Sequence, residues 1–344
     1  MSVPLLVTGA GGVGKTTISA ALGIRAAESG LDTLVLTVDP AKRLASALGL
    51  EHIGGEPTAN PELPTLSAAM LDSAASWAEI ARRHARPDVA ERLVNNEFFA
   101  TITRHFPASQ SYAAAEKMAD YLDTNRWDVV VVDTPPSAGG IEFFTAPTEL
   151  TDLIGGRLFR WITGGSIPGR RELFNLAARP ALRIVDTALG SDLLERVASF
   201  LFDLRTTYDG LSKRAVEIER HYRRAVSLVV TTADPAPVAE AARFFRALPE
   251  VARPPRAVVF NRALPSEWEG AKPPRGVHPA LSANLEAWSR EAHRQASVRA
   301  EFAARYETTV ATIPWEPIAP TSLKRLSELV DGIPGLQPKD LTLT

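Results

Sequence analysis

The chain has no cysteine among its 344 residues. That absence excludes disulfides, thiolate zinc sites, iron–sulfur clusters and a cysteine nucleophile. It also lacks a dominant charge. With 38 basic and 40 acidic residues the net charge is -2, so no global field favours nucleic acid or anionic lipid. Methionine is scarce, at 3 residues, which rules out a Met-rich adaptable groove. No run of about 18 apolar residues exists, so no transmembrane helix and no stable membrane insertion are expected. The start of the sequence lacks the positive region and cleavage site of a signal peptide, and a cytoplasmic location is expected. The six histidines (His52, His84, His105, His221, His278 and His293) show no ligand spacing, which points to surface or helix-capping roles rather than a metal. Arg82-Arg83 reads as a solvated helix face.

What remains is an ordinary globular balance, 45% hydrophobic and 23% charged. Apolar runs without polar alternation occur at Pro4–Thr8, Thr33–Val38, Val129–Val132, Val226–Thr231, Ala257–Phe260 and Thr309–Ile313, with a weaker one at Thr65–Met70. Strands of that kind are buried on both faces, as in a parallel sheet covered by helices. Helical spacing fills the intervals, for example Thr16–Ser29, Pro235–Leu248 and Leu281–Arg305. The alternation predicts one α/β domain over 1–344, a doubly wound, mostly parallel sheet. Two intervals exceed a plain crossover, at about 73–125 and 143–224, and they are expected to form a helical subdomain from insertions. In the second, Phe159, Trp161, Phe174, Phe200 and Phe202 are expected to be its core. Leu264–Pro279 is Pro-rich and polar, as surface loops are.

The segment Gly9-Ala10-Gly11-Gly12-Val13-Gly14-Lys15-Thr16 fits G-x-x-x-x-G-K-[ST], between an expected strand and an expected helix. Its glycines let backbone N–H groups wrap phosphates. Lys15 would neutralise the β- and γ-phosphates of ATP, and the Thr16 hydroxyl would sit on Mg²⁺. Thr17 lies in the first turn of the same helix, whose positive end faces the anion. Asp133 closes the apolar run Val129–Val132, and a buried carboxylate there needs a partner such as an Mg²⁺-bound water. Asp39 stands at the end of another expected strand. On local grounds it serves equally as the residue that activates the attacking water or as the N-cap of a helix through Leu44–Leu48.

Taken in order, these segments resemble the ArsA and guided-entry ATPases, within the deviant-Walker-A group that also holds MinD, ParA and the nitrogenase iron protein. Gly9–Thr17 is similar to that family's P-loop, Asp39-Pro40-Ala41-Lys42-Arg43-Leu44 to its switch I, and Ala69–Asp72 to its next strand. Asp133-Thr134-Pro135-Pro136-Ser137 is similar to its switch II, and Asn261 falls where an adenine-contacting Asn is found. The resemblance implies a dimeric ATPase in which Lys15 and Thr16 hold phosphate and Mg²⁺, Asp39 activates water, and Asp39 and Asp133 support the metal through water. It further implies a helical subdomain that binds a protein client, with a membrane-protein segment among the candidates.

The sequence departs from this pattern at residue 10, where the family's signature Lys is replaced by Ala. That Lys acts across the dimer interface, so the departure points to an asymmetric heterodimer with a Lys-bearing homologous subunit; a homodimer is the alternative. The missing thiols disfavour an arsenite-pump role. A nucleotide-binding regulatory or pseudo-ATPase subunit is a second reading. A MinD/ParA-like positioning ATPase is a third, weakened because Leu323–Leu329 carries only Lys324 and Arg325 and so is not a basic amphipathic helix.

Overall fold

A computed structural model describes residues 2–38, 44–45, 48–105, 108–135, 141–156 and 191–339; the side chains of 191–195 are not part of that description. The chain divides into two compact units. The first comprises Met1–Leu71, Lys117–Phe144 and Arg220–Thr344, and the second Asp72–Glu116 and Thr145–Glu219.

The first unit is built on an eight-stranded sheet. Its strands are β1 (Val3–Gly9), β2 (Thr33–Thr37), β3 (Thr58–Ala59), β4 (Leu66–Met70), β5 (Val129–Asp133), β6 (Val226–Thr231), β7 (Ala257–Ala263) and β8 (Thr309–Pro314). The spatial order is β3-β4-β2-β5-β1-β6-β7-β8, and every pairing is parallel except β3 with β4. Apart from the two-residue β3, each strand lies on one of the apolar runs. The central ones are buried end to end, β2, β5 and β6 completely. Such strands have no solvent face and so carry no polar alternation. This is an α/β fold with a mostly parallel sheet.

Successive strand residues point to opposite faces. Leu5, Val7, Val131, Leu228, Val230 and Val259 pack with Ile18, Leu22, Leu326 and Val330. The last four belong to α1 (Lys15–Glu28) and to the amphipathic helix Leu323–Val330 near the end of the chain, whose apolar face is buried in this core. An aromatic layer marks the other face: Phe260 meets Phe302 at 5.9 Å, and Phe144 meets Tyr222 at 5.0 Å and Phe244 at 5.7 Å.

The second unit is helical. It holds α2 (Ser73–His84), α3 (Pro87–Val94), α4 (Glu97–His105), much of α5 (Ser109–Asp123) and α6 (Glu142–Gly155), α7 (Ser191–Arg205) and most of α8 (Tyr208–Tyr222). Trp77 stacks on Tyr112 at 5.4 Å and donates from its indole Nε1 to Ser109 Oγ at 2.9 Å. Phe99 meets the same indole edge-on. Glu116, with its side chain 3% exposed, accepts from Arg83 Nη1 at 2.7 Å and Arg214 Nε at 3.1 Å, with His84 Nε2 at 3.7 Å. Arg83 is therefore not simply solvated: its guanidinium is drawn onto a buried carboxylate that needs a cation. Phe200 is buried as expected of a core residue, while Phe202 is 41% exposed. Phe159, Trp161 and Phe174 lie outside the described residues.

Candidate nucleotide site

Parallel strands place their carboxyl ends level, and the sheet order reverses direction at β1, which is where α/β sheets form ligand crevices. The register aligns Val7 with Asp133, Thr37 with Asp133, and Gly9 with Val230. The P-loop leaves β1 at this end. Gly9 has φ 144°, and a Cβ there would stand 2.0 Å from the Val230 carbonyl oxygen of β6, so only glycine lets the loop depart so close to its neighbour. Gly14, with φ 99°, is the left-handed N-cap of α1 and supplies no side-chain cap. The first N–H groups of α1 are thus left without a capping side chain, as an anion site requires.

Lys15 is 7% exposed, and its ammonium donates to the carbonyls of Gly9 and Ala10, both at 2.9 Å. Thr16 Oγ1 donates to Asp133 Oδ2 at 2.7 Å, and Thr37 Oγ1 donates to the same oxygen at 3.0 Å. Asp133 is 2% exposed at the end of β5. Val13 is buried, Gly11 and Gly12 are exposed, and Thr17 is half-buried in the first turn of α1. Asn261 reaches the loop from β7: its Nδ2 donates to the Val13 carbonyl at 2.8 Å, and its Oδ1 accepts from the Arg262 N–H at 2.9 Å. The structure therefore brings Gly9–Thr17, Asp133 and Asn261 together. Asp39, Lys42 and Arg43, and residues 136–140, lie outside the described residues.

Two participants are not evident from the sequence. Thr37 is an ordinary Thr at a strand end, and only the register opposite Asp133 reveals its bond. Arg262 donates from Nη2 to the Gly12 carbonyl at 3.1 Å from the far side of β6. The donor set fits a magnesium nucleotide. Mg²⁺ keeps several waters and needs one hydroxyl or carboxylate beside phosphate oxygens, not a cage of acidic residues. Among the described residues no cluster of three or more His, Cys, Asp or Glu is placed to hold a metal. No helix among them is long and apolar enough to cross a membrane.

Curated relatives match part of this chain. A putative arsenical pump-driving ATPase of Halobacterium salinarum is 33% identical over 144 residues, covering 41% of this chain and 22% of that protein. The arsenical pump-driving ATPase of Escherichia coli is 30% identical over 156 residues, 44% of this chain and 26% of its own. ATPase get3 of Schizosaccharomyces japonicus is 30% identical over 147 residues, 42% of this chain and 44% of its own. The chain thus spans less than half the length of each. The model of the anion-transporting ATPase family reaches much further, matching residues 3–273. That interval runs from β1 past the P-loop, Asp133 and Asn261, and with it the chain belongs to the anion-transporting ATPase family.

Proposed function

We propose that the chain binds ATP with Mg²⁺ at Gly9–Thr17 and hydrolyses it as one subunit of a dimer. The observation that carries this reading is the pairing of Thr16 and Asp133 at 2.7 Å directly behind the P-loop, in a chain of an ATPase family. A hydroxyl and a carboxylate so placed hold, respectively, a divalent cation and one of its waters. Bound Mg²⁺ would neutralise charge developing on the transferred phosphoryl group. Lys15 would exchange its two carbonyl partners for β- and γ-phosphate oxygens, a stronger charge-assisted contact. Thr37 steadies the Asp133 carboxylate from β2. Asp39, at the switch I position, is the candidate that activates water, and Asn261 the candidate contact to the base.

Ala10 shapes the quaternary proposal. It is 7% exposed and packed in the core of the sheet unit, and a methyl group cannot reach a partner's phosphates. The site of this chain is therefore complete only beside a homologous subunit that carries Lys there. The helical unit is the proposed client-binding part, with Ile102, Leu153, Phe202 and Val216 open to solvent and suited to an apolar segment such as one from a membrane protein. The same Ala10 favours a second reading, a regulatory subunit that binds nucleotide without turning it over.

Steady-state and single-turnover hydrolysis of MgATP, measured alone and with a Lys-bearing homologue, tests these readings. We expect slow turnover alone and a rise of at least about tenfold with the partner, the size of a transition-state charge contact. Lys15→Ala should abolish binding, and Asp39→Asn should abolish the slow turnover while leaving binding intact. Equal single-turnover rates for wild type and Asp39→Asn would establish the regulatory reading. Full turnover by the chain alone, unmoved by any homologue, would remove the heterodimer.

A further inference from the structure

Among the described residues two cations touch the P-loop, and they are held in different ways. Lys15 is buried and belongs to the loop itself, whereas Arg262 is exposed and comes from β7, across the end of β6. Arg262 also occupies an unfavourable backbone conformation, with φ 57°, in the left-handed region that a side chain with a Cβ seldom adopts. The strand is irregular at this place. Phe260 pairs with Thr312 and Ala263 with Pro314, so three steps along β7 match two along β8. A bulge of this kind inserts one residue, leaves it out of the ladder and re-aims its side chain.

The re-aimed groups serve the loop. Arg262 Nη2 donates to the Gly12 carbonyl, and the neighbouring Asn261 Nδ2 donates to the Val13 carbonyl. The bulged Arg262 N–H is not wasted, because it donates to Asn261 Oδ1 and so fixes that amide's orientation. Two consecutive P-loop carbonyls are therefore gripped from a single bulge. In a trans peptide plane the carbonyl and the following N–H point in opposite directions. Holding the Gly12 and Val13 carbonyls toward β7 turns the N–H groups of Val13 and Gly14 the other way, away from β7. Among the described residues no carboxylate pairs with Arg262; its guanidinium is bonded to the loop.

We propose that Arg262 is a positioning residue for nucleotide: it clamps the Gly12–Val13 peptide so that the loop's N–H groups are set for phosphate before nucleotide arrives, and the strained bulge is kept for that purpose. This rests on the reading of Gly9–Thr17 as a nucleotide site. The prediction separates cleanly from a folding role, because glycine accepts a positive φ that arginine tolerates poorly. Arg262→Gly should melt at or above the wild-type temperature and yet bind Mg·ADP about tenfold more weakly, the loss of one charge-assisted hydrogen bond and its preorganisation. Arg262→Lys, which keeps a cationic donor, should stay within about threefold of wild type. Where turnover is measurable, KM for ATP should rise while kcat stays within about twofold. Isothermal titration with Mg·ADP on wild type, Arg262→Gly, Arg262→Lys and Lys15→Ala decides it. Wild-type affinity in Arg262→Gly, or equal weakening in the Gly and Lys variants, overturns the proposal, as does weakening that goes with a lowered melting temperature in Arg262→Gly. If wild type itself binds no nucleotide, the reading of the site fails first; if wild type binds, Lys15→Ala does not and Arg262→Gly matches wild type, only the role of Arg262 falls.

Discussion

In the sheet unit a group of buried polar side chains, Lys15 and Asp133 among them, gathers at the carboxyl ends of the strands, whereas in the helical unit Glu116 and Arg214 are buried between packed helices. Thr8, Lys15, Thr37, Asp133, Thr134 and Thr231 are all buried, and all stand at or beside the ends of β1, β2, β5 and β6. The middle of that sheet is mostly Val, Leu and Ala, and among the described residues each of the unit's ion pairs has at least one side chain more than 30% exposed. The helical unit buries Glu116 and Arg214 in its interior, joined by Arg83 and with His84 alongside, and ties α2, α5 and α8 through them. Buried polarity is costly in both. In one unit it marks a site that can bind something; in the other it sets which helix faces meet, a registry role of the kind charged interiors can play.

The comparison predicts that the sheet unit is most sensitive to lost volume. Leu228 of β6 is fully buried. Leu228→Ala should cost about 4 kcal/mol, the transfer and cavity terms of a site that cannot collapse between two covered faces. Urea unfolding measures it, and a cost below about 1 kcal/mol would mean that the sheet core is loosely packed after all.

The helical unit should instead be most sensitive to lost charge. Glu116→Gln leaves Arg214, with its side chain 8% exposed, buried without a counter-charge, and should cost about 3 kcal/mol. Replacing Glu116 and Arg214 together by Leu should recover most of that loss, because no orphan charge remains. Acid sharpens the same point. Burial pushes the Glu116 carboxyl upward, but His84, Arg214 and Arg83 outweigh it and hold the group below its ordinary value of 4.5. A carboxylate depressed in the folded state stabilises above the unfolded value and loses that contribution as pH falls toward the folded one. The advantage of wild type over Glu116→Gln should therefore be constant from neutral pH to about 5 and shrink below 4.5. An advantage that grew on acidification would contradict the assignment.

The same contrast explains what could be read in the sequence. Strands buried on both faces are written as contiguous runs, so Val129–Val132 announces β5 without any partner being known. Thr58–Ala59 is too short and too exposed to leave a trace. The P-loop is legible because its glycines, Lys15 and Thr16 are contiguous, and Asp133 because a charge closing an apolar run needs a reason. Asn261 is legible only through resemblance, and Arg262 not at all, since a bulge and a positive φ arise from how β7 meets β8. The Glu116 cluster is equally invisible. Its members are spread from Arg83 to Arg214, and each taken singly looks like a charge on a wet helix face. Contiguity carries local chemistry, while long-range charge pairing appears only once the helices are packed.

The smallest predicted effect guards against crediting charge pairs as such. Arg25 of α1 bonds Asp331 at 2.6 Å, and the two side chains are 30% and 56% exposed. The distance is as short as that of Arg83 to Glu116, but water and salt screen an exposed pair, and ordering two mobile side chains offsets much of the gain. Asp331→Ala should therefore cost no more than about 0.5 kcal/mol and less still at high salt. It is read as the shift in urea midpoint at low and at molar salt. A loss comparable to that of Glu116→Gln would show that geometry, not burial, sets the worth of these pairs, and would break the distinction between the two units. A loss within the expected range leaves burial as the deciding variable, since the same chemistry at the same distance then differs severalfold in effect according to whether water can reach it.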